Sequence, residues 1–87
     1  MPIEITVEQL ETFIQEHYHA ASANPEHWDS HFHQAFGALT FFTRALFEAG
    51  QVDECNALGD KWTNKWYPKF WNIRYEQLGI ELLEVIE

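Results

Sequence analysis

The chain is short of several things, and each shortage removes a class of explanation. It has one cysteine, Cys55, so no internal disulfide forms and a reducing compartment is implied. Its four glycines are scattered, which leaves no glycine-rich loop to cradle a phosphate. No stretch approaches the roughly 20 apolar residues that span a bilayer. No basic segment followed by an apolar run marks a secretory signal at the start, so a soluble cytoplasmic protein is expected. Lysine and arginine number five against fourteen acids, giving a net charge of −9. That deficit argues against general duplex binding, where affinity comes from cations neutralising phosphates. Catalytic signals are missing too. Ser22, Ser30, Thr40, Thr43 and Cys55 have no nucleophile-elbow context. Asp53-Glu54 falls in a turn, where capping explains it. No catalytic residue is assigned and an enzyme is not expected.

What is present suits one helical domain over residues 1–87. Hydrophobic residues make up 46% and fourteen rings are available for a core, each removing about 150–250 Å² from water when buried. Thr6 followed by Gln9 is a capping-box pattern, and Val7, Leu10, Ile14 and Ala21 continue at helical spacing. Asn24-Pro25 stops that helix and starts another. Trp28, Phe32, Ala35, Leu39, Phe42, Leu46 and Ala49 line one face of the second helix, with Phe36, Phe41 and Phe47 off that line. A helix apolar on more than one side is either central or meets another chain. Gly50 is its expected left-handed end. Val52, Cys55, Leu58, Trp62 and Trp66 form the next stripe, and Pro68 removes the donor to the Asn64 carbonyl. The predicted fold is all-α, a bundle of three to four helices over about 7–22, 25–49, 52–67 and 70–86, with a break or kink at Pro68. A short terminal strand pair, residues 80–86 against Ile3 to Ile5, is the alternative.

Ala45 to Cys55 (ALFEAGQVDEC) resembles the tight turn between paired helices of tetratricopeptide-type hairpins, with Leu46, Gly50, Cys55 and Ala57-Leu58 in matching places. Trp62 departs from the small residue of that pattern, and there is no second copy of the unit. The resemblance implies an antiparallel helical hairpin and nothing more.

Charge is unevenly placed. Residues 61–75 carry four of the five basic side chains, three of the four tryptophans and no acid. If helical, Lys61, Lys65 and Lys69 line one edge and Trp62, Trp66 and Phe70 the next. One reading is a core stripe whose lysine stems cover the rings and whose charges meet Glu8, Glu11 and Glu16, or Glu76 and Glu81. A second is a protein-contact surface of Lys65, Lys69, Phe70, Trp71, Arg74 and Tyr75, because Trp, Tyr and Arg anchor interfaces. A third is a nucleotide or single-strand site, where rings stack bases and cations meet phosphate.

All five histidines lie between positions 17 and 33. His27 and His31 share a helix face at four-residue spacing, and His17 supplies a third nitrogen across the turn. That set is a candidate site for a divalent transition metal such as zinc; without it no cofactor is implied. Polar bridging between two helices and a pH-sensitive contact are the other readings. The leading functional expectation is a small acidic interaction module. Its partner is a protein, on whose basic, nucleic-acid-binding surface it docks as inhibitor or adaptor, or a second copy in a homodimer. Metal binding and single-strand binding are the alternatives. No duplex nucleic acid and no membrane is expected as partner.

Overall fold

A computed structural model describes residues 6–86. The chain is all-helical: α1 spans Val7–Ala23, α2 Trp28–Glu48, α3 Val52–Lys61 and α4 Tyr67–Leu78. A 3-10 turn, Pro25–His27, leads into α2, and a π-helical turn, Trp62–Trp66, joins α3 to α4. The described residues contain no strand. Residues 3–5, one half of the alternative strand pair, lie outside them.

Local chemistry explains each boundary. The Thr6 hydroxyl accepts from Gln9 N–H at 3.1 Å, while Gln9 Oε1 accepts from Thr6 N–H at 2.9 Å. Two otherwise orphaned donors at the start of α1 are thereby satisfied, worth about 1 kcal/mol. Asn24 acts through its backbone, its carbonyl accepting from His27 N–H at 2.9 Å. At the far end of α2, Gly50 sits at φ +81°. Its N–H reaches Phe47 O at 3.0 Å and Gln51 N–H reaches Leu46 O at 2.8 Å. A side chain there would cost about 1–2 kcal/mol, so glycine sets the hairpin turn into α3.

Pro68 does not break the helix. It has no N–H for the Asn64 carbonyl, and its ring would press on that carbonyl in a regular turn. The backbone widens instead, and Tyr67 N–H donates to Trp62 O, five residues back. Helical backbone thus continues from Val52 to Leu78. The freed carbonyl of Asn64 accepts from Ile86 N–H at 2.8 Å.

The last helix is shorter than the predicted 70–86. It ends at Leu78 because Gly79 turns at φ +70°, with Gly79 N–H on Glu76 O and Ile80 N–H on Tyr75 O. Residues 80–86 then run back along α4. Leu83 pairs with Asn72 and Ile86 with Asn64. Eight helical residues measure about 12 Å; three fully extended residues reach about 10–11 Å, so the segment joins the two contacts only when extended and with the Asn72 side chain reaching toward it.

The core joins Leu10, Ile14 and Ala21 of α1 to Trp28, Ala35 and Leu39 of α2 and to Leu58, Trp62, Trp66 and Phe70. Phe32 stacks on Trp28 with centroids 4.8 Å apart. The Trp28 indole donates to the Phe70 carbonyl, tying the start of α2 to α4. The body is flat, 44 × 26 × 16 Å. Its thinnest dimension holds two helix layers with axes about 8–10 Å apart but not a third. A slab this thin cannot cover α2 all round: Phe41 remains 76% and Phe47 63% exposed.

Candidate functional site

The basic aromatic segment folds largely onto its own chain. Trp62 and Trp66 are buried. Lys61 pairs with Glu11 at 2.6 Å, and Arg74 pairs with Asp29 at 3.0 Å while its guanidinium stacks over Trp28 at 4.9 Å. The Lys65 ammonium lies 4.8 Å from the Trp66 ring, and Lys69 lies 4.7 Å from Tyr18 and 5.1 Å from Trp66. Trp71 packs half-buried against Trp28 at 4.8 Å and Tyr75 at 6.2 Å. Phe70 requires a correction. It was expected on the partner-facing side, yet it is 0% exposed and cannot touch another molecule in the folded state. The cause is the π turn. In a regular helix, positions four apart drift about 40° per step at 100° per residue. The wider turn before Tyr67 cancels that drift and keeps Phe70 in line with Trp62 and Trp66.

The histidines also assemble differently. His17 Nδ1 and His31 Nδ1 lie 2.8 Å apart, so one ring donates and the other accepts. Phe13 closes the edge of His17 at 4.4 Å. The His17 pKa falls below the ordinary 6.5, chiefly through burial and then through the charge of His31, with Glu16 opposing. His27 does not join them. It sits in the 3-10 turn ahead of α2, with φ −105° and ψ 19°, so the expected four-residue alignment with His31 is lost. Among the described residues no three His, Cys, Asp or Glu side chains come together as a metal site.

An apolar groove lies between α1 and α2. Its volume of about 700 Å³ is lined by Gln9, Leu10 and Phe13 from α1, by Ala38, Phe41, Phe42, Ala45 and Leu46 from α2, and by Ala49 and Gln51 of the turn that follows. With Ala49, the α2 lining falls at intervals of three and four residues, a single stripe. From Ala38 to Ala49 it runs about 16 Å, three turns of helix. Small alanines alternate with phenylalanine and leucine, leaving space between the larger side chains. Along the α1 edge a smaller hollow of about 400 Å³ is bordered by Glu8, Gln9, Thr12, Phe13 and Glu16. Among the described residues no basic side chain pairs with Glu8 or Glu16. The groove is therefore apolar within and acidic on one rim. The sequence pattern pointed to it through Phe41, but not through the α1 residues that complete it. No protein-family model, curated protein or solved structure matches this chain. No helix among the described residues is long and apolar enough to cross a membrane.

Proposed function

We propose that this chain is a protein-interaction module that holds a partner's amphipathic helix in the α1/α2 groove. The observation that carries this reading is the groove itself, an apolar stripe three turns long with Phe41 76% exposed at its lip. Helices lay apolar positions i, i+3, i+4 and i+7 into grooves of this form. The acidic rim of Glu8 and Glu16, within a chain of net charge −9, selects a partner helix flanked by lysine or arginine. A second copy suits the groove poorly, because it would bring two acidic rims together. Occupying a basic partner segment is how such a module inhibits or tethers. Lys65, Lys69, Trp71, Arg74 and Tyr75 are engaged within the chain and contribute at most to the edge of this contact.

The test uses two designed helical peptides with the same leucine stripe, one flanked by lysine and one by glutamate. Fluorescence anisotropy against the intact chain measures both. The lysine-flanked peptide is expected to bind at least about tenfold more tightly, a difference of roughly 1.4 kcal/mol. Phe41→Glu, at a site too exposed to threaten folding, removes that binding. Equal affinity of the two peptides, or binding indifferent to Phe41→Glu, contradicts the proposal.

A further inference from the structure

The extended tail, residues 80–86, is held as a peptide ligand is held. Asn72 reads the Leu83 backbone with both ends of its carboxamide: Leu83 N–H donates to Oδ1 at 2.6 Å, and Nδ2 donates to Leu83 O at 3.0 Å. A second contact comes from the π turn, where the carbonyl left without a donor by Pro68 accepts from Ile86 N–H at 2.8 Å. Both contacts engage main chain, so they select an extended backbone and not a particular side chain. Side-chain preference comes from the neighbouring cavity of about 680 Å³, which Leu82 and Val85 of the tail border on one side and Tyr18, Pro25, Ile73 and Lys69 on the other. The tail carries acids at Glu81 and Glu84, of a sign suited to that lysine.

We infer that this α4 face is a binding site for an extended apolar-acidic peptide, filled here by the chain's own tail and able to take the same tail from a second copy. The hinge for exchange is Gly79. It alone turns the chain back at φ +70°, and nothing lies within 4 Å of where its Cβ would be. Contacts made within one chain and between two are the same, which is why exchange of an identical element is a low-cost route to dimers. Attachment normally favours the chain's own tail, because a short link gives an effective concentration in the millimolar range. Exchange therefore shows itself when one chain's own tail is disabled.

Two full-length variants test this by complementation. Asn72→Ala disables the site and leaves the tail intact; Leu82→Asp with Val85→Asp disables the tail and leaves the site intact. Helix content by circular dichroism verifies both folds, since among the described residues Asn72 makes its side-chain hydrogen bonds only to the tail. Each variant alone is expected to sediment as a monomer at several hundred micromolar. Their equimolar mixture is expected to give a 1:1 heterodimer of twice the monomer mass. A mixture that remains monomeric overturns the inference. So does association already present in either variant alone, because contact through the α1/α2 groove would appear in all three samples alike. The two proposals thus fail separately.

Discussion

Replacing Trp28 and Trp71 by phenylalanine, one at a time, is expected to give sharply different costs although the rings touch. Each change removes about two buried carbons, roughly 1.6 kcal/mol at ~0.8 kcal/mol per methylene. Trp28→Phe also removes the indole bond to the Phe70 carbonyl, adding about 1 kcal/mol for a total near 2.5. Trp71 starts from the opposite position: its indole nitrogen is buried without a partner among the described residues. An unpaired buried donor costs about 1–3 kcal/mol, which phenylalanine relieves. Trp71→Phe is therefore close to neutral, between about 0.6 destabilising and 1.4 stabilising. Urea unfolding followed by far-ultraviolet circular dichroism measures both. In a domain this small, a gap of at least about 2 kcal/mol separates the melting temperatures by at least roughly 8 °C. Equal losses from the two substitutions would refute the reasoning, because the hydrogen-bonding difference between the two indoles would then carry no weight.

Two further outcomes follow from the geometry. Burial lowers the His17 pKa in the folded state, so the unfolded chain binds more protons there. Its contribution is complete above the ordinary value of 6.5 and is lost as pH falls through the lower folded value. Comparing unfolding of the parent and His17→Gln from about pH 8 to about pH 5 is expected to show a flatter profile for the variant, and identical profiles would remove His17 as a contributor. Gly79→Ala places a side chain at φ +70° and is expected to cost about 1–2 kcal/mol. Amide exchange at Leu83 and Ile86 is expected to quicken while the core amides keep their protection; unchanged exchange at those two positions would mean the tail does not depend on that turn.

How much of this could be read from the chain beforehand follows from the range of each interaction. Thr6 with Gln9, the Asn24-Pro25 junction and the turn at Gly50 act within a few residues, and each was legible. So was the carbonyl of Asn64 left without a donor by Pro68. The compensating partner, Ile86, was not, because it arrives from far along the chain. A last helix over about 70–86 was expected, but the left-handed turn at Gly79 and the clamp at Asn72 end it at Leu78. The approach of His17 to His31 across the turn was read from the sequence; the departure of His27 was not, because the 3-10 turn takes it out of the regular helix that the four-residue spacing assumes. Phe70 was placed outside for a related reason: a single π turn realigns every side chain that follows it. For the groove, the apolar excess of α2 was visible, whereas the walls from Leu10 and Phe13 required the packing of α1.

The central claim, that this chain works by holding a basic amphipathic helix between α1 and α2, is tested most directly at Phe41. A photo-crosslinking amino acid placed there, and in a control chain at the exposed Gln77, is irradiated in the cells that make the protein, and the adducts are mapped by mass spectrometry. The account predicts one dominant adduct at position 41, attached within a helical, lysine- or arginine-flanked segment of another protein, and none of it at position 77. The same adduct at both positions, or an adduct at position 41 on an acidic or extended segment, would contradict it.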